Sequence, residues 1–196
     1  MIVLGVTGGL ASGKSTVSEY LKEKYKAYIF DADIEAKKLL HTEEVEKQIL
    51  EIFPEIKSLE NNTLSRIAFK TKKSQQKLNS IIHPHVEREI ECRILEKQSS
   101  HPFFIIDAAL IIESGSVSTL KNKGMTLLVV VADESLRIER AKLRGNLLVE
   151  TVLERIRLQL LDSEKLKHAD FVIENNSTKA ILFKKVDKII TKIINE

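Results

Sequence analysis

Only one cysteine, Cys92, occurs among the 196 residues, so no disulfide can form within the chain and its fold must rest on a hydrophobic core. No run of 18 apolar residues occurs, which predicts that no helix crosses a membrane. The N-terminus has neither the charged start nor the small-residue cleavage site of a secretory signal. These absences make the cytoplasm the expected location. An excess of one charge is missing as well. Lys and Arg number 31 against 28 Asp and Glu, a net charge of +3, which is too even for a protein whose partner is nucleic acid. The stretch Lys70-Thr71-Lys72-Lys73 reads accordingly as a solvated face. Internal repeats and low-complexity segments are also absent. Hydrophobic residues at 43% suffice for a core, and the length suits one domain with room for an inserted subdomain. Cys92 falls on an expected helix, off the stripe of Val86, Ile90 and Ile94, and reads as a structural thiol.

Five short apolar runs are present: Ile2 to Val6, Tyr28 to Phe30, Phe103 to Ile106, Leu127 to Val131 and Phe171 to Ile173. They barely alternate between apolar and polar residues. That pattern predicts strands buried on both faces, hence a parallel five-stranded sheet wrapped by helices in an α/β fold. About seventy residues separate the second run from the third, far more than one crossover helix requires. This interval reads as helical: Glu44 to Phe53, Leu64 to Phe69, Gln75 to Ile82, and a further helix begun by Pro84, with Val86, Ile90, Ile94 and Leu95 on one side. Residues 42–100 are therefore expected to form a helical insert. Core segments are expected at 1–41, 101–133 and 168–196. Residues 134–167, with a break at Gly145-Asn146, are expected to form a helical lid. A last helix is expected from Thr178 to Ile194.

The first strand runs directly into Gly8-Gly9-Leu10-Ala11-Ser12-Gly13-Lys14-Ser15-Thr16, and a helical pattern with Val17 and Leu21 follows. Strand, glycine-rich turn and helix together make a phosphate-binding loop. Backbone N–H groups of such a loop and the helix N-terminus form an anion site. Gly9, Ala11, Ser12, Gly13, Lys14, Ser15 and Thr16 are thus candidates for holding a nucleoside triphosphate. Lys14 is expected to reach the β- and γ-phosphates and Ser15 to ligate Mg²⁺. Asp107 ends the third run and is the second candidate for the Mg²⁺ shell. Asp31 and Asp33 lie where the second run ends, the edge at which ligands of open α/β sheets bind. One of them can orient an acceptor hydroxyl and take its proton, while the other caps the helix that follows. Arg140 and Arg144, four apart, share a helix face and suit the charge that spreads over oxygens in phosphoryl transfer. Arg137 and Arg157 read as members of a surface helix laced with Glu–Arg pairs. His83, beside Pro84, earns no proton-transfer role.

Taken in order, these residues resemble the dephospho-coenzyme A kinase family across nearly the whole chain. The resemblance is carried by Gly5 to Val17, Asp31-Ala32-Asp33 with Ala36, Leu78-Asn79-Ser80-Ile81-Ile82-His83-Pro84, Asp107 to Glu113, Arg140 with Arg144, Gln159, and Ala169 to Asn176. It implies a P-loop kinase that transfers the γ-phosphoryl of ATP to the ribose 3′-hydroxyl of dephospho-coenzyme A. It further implies Asp33 as general base, with Lys14 and Arg140 stabilising the phosphoryl in transit. The insert, with Asp31 and His83, would hold the acceptor, and the loop of Asn175-Asn176 would border adenine. The implied partners are small molecules alone, neither nucleic acid nor membrane. Ala109 stands where the family's segment has proline, Ile111 and Ile112 alter the apolar run before Glu113, and Arg137 and Lys37 stand where Gln and Arg are frequent. Another small-molecule kinase of the nucleoside, nucleotide or shikimate type would share the loop and lid. A GTP-dependent switch would need a carboxylate where Met125 follows Asn122-Lys123-Gly124. A nucleotide-binding relative without catalysis would not need the intact set of Lys14, Ser15, Asp33 and Arg140.

Overall fold

The computed structural model describes residues 1–56, 64, 67, 71–145 and 149–195, with the side chains of Lys72 and Arg144 outside that description. The expected helix over 64–69 and the break at Gly145-Asn146 lie partly outside these residues. Two compact units emerge, Met1–Phe30 with Lys97–Glu196, and Asp31–Glu96.

The first unit is built on a sheet of five strands: β1 (Ile2–Gly8), β2 (Tyr28–Asp31), β3 (Phe103–Asp107), β4 (Met125–Val131) and β5 (Phe171–Glu174), in the order β2-β3-β1-β4-β5. The pairs β1–β3, β1–β4 and β4–β5 are parallel. Helices α1 (Lys14–Tyr25) and α9 (Lys179–Asn195) pack on one face. Leu4, Val6, Phe103, Ile105, Leu128, Val130 and Ile173 point into that face with Val17, Leu21, Leu182, Val186 and Ile190, all buried. The intervening Phe104, Ile106, Leu127 and Val129 are buried on the other face. Double burial explains why these strands show no polar alternation, and each such side chain contributes about 1.5–3 kcal/mol on leaving water.

Asp187 of α9 ties the two helices together. It accepts hydrogen bonds from Tyr20 and Tyr25 of α1, at 2.8 and 2.7 Å, and from Lys24 at 2.8 Å. Tyr20 also stacks on Phe183 with centroids 4.0 Å apart. Burial, and then the bond to Asp187, push the Tyr25 hydroxyl up to about 12. Burial alone would raise the Asp187 carboxyl, but the donors around it outweigh burial and hold it below its ordinary value. Helix α1 stops at Lys26, whose φ of 55° is left-handed in a residue with a Cβ, a strain of roughly 1–2 kcal/mol.

The other helices of this unit are α5 (Ser116–Asn122), α6 (Glu134–Gly145), α7 (Val149–Arg157) and α8 (Asp162–Leu166). Three of them, α6 to α8, fall within the stretch expected to be helical after the fourth strand. Helix α5 packs against β4 and had no apolar period long enough to announce it.

The second unit is helical, with α2 (Ala32–Leu39), α3 (Glu43–Ile52) and α4 (Lys72–Lys97). The Asp31 carboxylate accepts the Ile34 N–H at 2.9 Å and caps α2, as the Asp-Ala-Asp spacing suggested. Val45, Ile49, Phe53, Ile56, Leu64, Leu78, Ile81 and Ile82 form its core. The expected helix start at Pro84 is corrected: Pro84 lies inside the 26-residue helix α4. Proline removes one N–H donor from the ladder, yet Leu78, Ile81 and Ile82 before it and Ile90 after it are all buried, and that packing holds the two halves in one helix. Leu95 does not continue the stripe and is 67% exposed. Cys92 is exposed on α4. Among the described residues no helix is long and apolar enough to cross a membrane.

Candidate active site

Strand order places the site. The connection from β1 leads past β3 to β2, and the connection from β3 leads past β1 to β4, so the crossovers leave this strand pair in opposite directions. A crevice opens there, outside the carboxyl ends of the strands. Register sets Val6 beside Asp107, so the loop that begins at Gly8 and the carboxylate that ends β3 emerge at one edge. Lys14 of α1 and Asp107 form an ion pair across this crevice. Asp107 is 5% exposed.

The loop itself is tightly folded. Ser12 N–H donates to the Gly9 carbonyl at 3.0 Å, and the N–H groups of Thr16 and Val17 turn back to Gly13. Gly13, at φ 104°, precedes α1, and a Cβ there would collide with the Asn175 side-chain amide. Ala11 also adopts a left-handed φ, 58°. The N–H groups that open α1 and the positive end of its dipole together form an anion site. Ser15 is exposed in this turn, and Ser12 is buried.

The loop after β5 closes the crevice from another side. Asn175 donates from its main-chain N–H to Val131 at 2.8 Å and from its amide to the Ser12 carbonyl at 2.7 Å. Its own carbonyl accepts from Arg140 Nη2 at 2.9 Å. The buried Nη1 of Arg140 has no hydrogen-bond partner among the described residues. A guanidinium nitrogen held in this way is available to an anionic oxygen. Lys14, Asp107, Arg140 and Asn175 are thus brought together with the glycine-rich loop. Asn175 acts here on the loop's main chain. The side chain of Arg144 lies outside the described residues. Asp31, Asp33 and His83 belong to the helical unit: Asp31 serves as the cap, Asp33 is exposed in the first turn of α2, and His83 is half-buried on α4.

Arg137 requires a correction. Read as a surface charge, it is 6% exposed. Its Nε donates to the Leu10 carbonyl at 2.9 Å and its Nη1 to Asp162 at 3.3 Å. Its guanidinium lies where a Cβ on Gly9 would fall. A signal was available, because Arg137 lies three residues before Arg140, a spacing that sets both on one face of a helix. Gln159 and Thr7 were not assigned site roles. Gln159 Oε1 accepts the Leu10 N–H at 2.8 Å, and Thr7 donates to the Ala109 carbonyl at 3.3 Å. The loop after β3, where Ala109 stands, is also tied by Ala108 N–H to Val6 at 3.2 Å, and Ile111 and Ile112 are buried.

The donor set suits Mg²⁺. The Ser15 hydroxyl and the Asp107 carboxylate are hard oxygen ligands. Among the described residues no three His, Cys, Asp or Glu side chains gather into a metal cage. Mg²⁺ is characteristically held by one or two protein oxygens together with substrate phosphates and water.

The family model for dephospho-CoA kinase matches residues 2–180. A dephospho-CoA kinase of Fusobacterium nucleatum subsp. nucleatum is 38% identical over 195 residues, covering 96% of each chain. One from Oceanobacillus iheyensis is 34% identical, with 97% of each chain covered. Among solved structures, a Thermus thermophilus protein superposes with a TM-score of 0.78 and the dephospho-CoA kinase of Campylobacter jejuni with 0.65, each at 28% identity over 97% of this chain and 96% of theirs. A shikimate kinase of Acinetobacter baumannii, at 17% identity and a TM-score of 0.58 over 100% of this chain and 94% of its own, shares the fold. With a matching family model over nearly its full length and curated relatives above 30% identity, the chain belongs to the dephospho-CoA kinase family.

Proposed function

We propose that this chain transfers the γ-phosphoryl of ATP to the ribose 3′-hydroxyl of dephospho-coenzyme A, giving coenzyme A and ADP. The observation that carries this reading is the Lys14–Asp107 pair at the crevice between β1 and β3, at the mouth of the phosphate loop. ATP supplies an anion that Lys14 can follow. Its β- and γ-phosphates take the lysine, the N–H groups of the loop and the first turn of α1. Ser15 and Asp107 would hold Mg²⁺, which when bound would neutralise charge on those phosphates. Asp33 accepts the proton of the 3′-hydroxyl as that oxygen bonds to the γ-phosphorus. The bond from phosphorus to the β–γ bridging oxygen breaks, and its electron pair leaves with ADP. Lys14 and Nη1 of Arg140 stabilise charge on the transferring group. Arg144 and Asn175 serve the nucleotide. Asp31 and His83, with the 42–100 insert, serve the acceptor, and the 134–167 segment acts as a lid. The reaction takes place in the cytoplasm.

The test is release of ADP from ATP and Mg²⁺, with and without dephospho-coenzyme A, with the product identified by mass. Acceptor-dependent formation of coenzyme A is the expected result. Turnover with shikimate or a nucleoside and none with dephospho-coenzyme A would replace the acceptor. GTP should not substitute for ATP.

A further inference from the structure

We propose that Gln159 and Arg137 are positioning residues that hold the phosphate loop in its ATP-binding shape by gripping Leu10 from both sides. The inference rests on the reading that this loop binds ATP, and it concerns residues outside the loop.

Leu10 lies at the crest of the loop, between Gly9 and the left-handed Ala11. Its N–H is taken by Gln159 Oε1 at 2.8 Å and its carbonyl by Arg137 Nε at 2.9 Å. Neither partner is near it in sequence. A residue bonded through both main-chain groups cannot rotate its flanking peptides without losing a hydrogen bond. The two gripping side chains are themselves fixed. Arg137 is buried and its Nη1 donates to Asp162. Gln159 and Asp162 flank Leu160 and Leu161, and the Leu160 N–H donates to Glu113 Oε1 at 3.1 Å. The same Glu113 oxygen lies 3.0 Å from Nζ of Lys165, which is fully buried. That segment is therefore anchored to the loop after β3 by an ion pair largely withdrawn from water. The chain of contacts runs from Lys165 through Glu113 and Leu160 to Gln159 and Asp162, and on to Leu10, directly from Gln159 and through Arg137 from Asp162.

Such a device lowers the cost of binding ATP, because the loop's N–H groups are already aimed before the phosphates arrive. A side chain that only supported the fold would change the folded fraction and leave the affinity of the folded molecules alone.

The test is Gln159→Met, which keeps length and volume and removes the acceptor. Direct titration with a fluorescent ATP analogue in Mg²⁺, needing no acceptor, is expected to show affinity weakened about tenfold, the size of one lost hydrogen bond. The thermal midpoint should stay within about 3 °C of the parent. At saturating ATP, kcat should change less than KM does. Unchanged ATP affinity in the folded variant would overturn the inference. Should Gln159→Met fail to fold, Gln159→Asn draws the acceptor back from Leu10 by one methylene and is read by the same criteria. Because the readout is ATP binding, a wrong acceptor assignment leaves this test intact. Failure of the parent protein to bind ATP would sink both readings.

Discussion

Replacing Lys165 by methionine removes the positive half of a pair in which Lys165 is fully buried and the Glu113 side chain is 16% exposed. The Nζ to Oε1 separation is 3.0 Å. Deleting one member of a buried pair costs about 3–5 kcal/mol, chiefly because the other charge is left desolvated. Glu113 retains one donor, the Leu160 N–H, and some water contact, so the cost should fall near the lower end, about 3 kcal/mol. For a chain of this size that lowers the thermal midpoint by roughly 6–12 °C. The double variant Glu113→Gln with Lys165→Met is the decisive partner. It removes both charges, fills the lysine's space with an apolar chain, and leaves a carbonyl for the Leu160 N–H. Neutral replacement of a buried pair is often without cost, so the double variant should lie within about 1 kcal/mol of the parent. The assay is urea and thermal unfolding of all four members of the cycle. A Lys165→Met variant within about 0.5 kcal/mol of the parent, or a double variant as unstable as the single one, would refute the reasoning from an uncompensated buried charge.

Asp33→Asn should bind ATP normally and lose turnover by a factor of about 10² or more; single-turnover rates near those of the parent would remove Asp33 as the base. Arg140→Ala should lower kcat more than it weakens ATP binding, and the reverse pattern would make Arg140 a ground-state contact. Gly13→Ala forces a Cβ into the Asn175 amide at a φ of 104°, so strain and the lost Asn175–Ser12 bond together should cost about 2–3 kcal/mol, measured by denaturant midpoint. Tyr25 has a folded value of about 12 against about 10 in the unfolded chain. Its folded value is the higher one, so its stabilisation is complete below about pH 10 and is lost as pH rises through about 12. The midpoint of Tyr25→Phe should accordingly fall less steeply than that of the parent between about pH 10 and 12, and parallel curves would refute the link. Asp187 behaves oppositely: its carboxyl is held low, so its contribution is present above the ordinary carboxylate value, about 3.9, and fades as pH falls below it.

Much of this protein is written in local sequence, because the rules that govern it are local. Unalternating apolar runs marked the strands, since a strand buried on both faces needs apolar residues at every position. The loop from Gly8 to Thr16 declared itself through glycine spacing between a strand and a helix. Asp31 was readable as a cap because the N–H it accepts, that of Ile34, lies only three residues away. Other features have causes distant in the chain. Pro84 signals a helix start by every local criterion, yet it sits within α4 because buried neighbours on both sides outweigh one missing hydrogen bond. Arg137 and Lys165 are charged residues in charged stretches, where exposure is the usual expectation. Each is buried because a partner from another element compensates it: the Leu10 carbonyl and Asp162 for Arg137, Glu113 for Lys165. Pairing across more than a hundred residues, as between Leu10 and Gln159, leaves no periodic trace. Local chemistry thus specified the elements and the reactive loop, whereas the burial of charge and the grip on that loop followed from how distant segments pack.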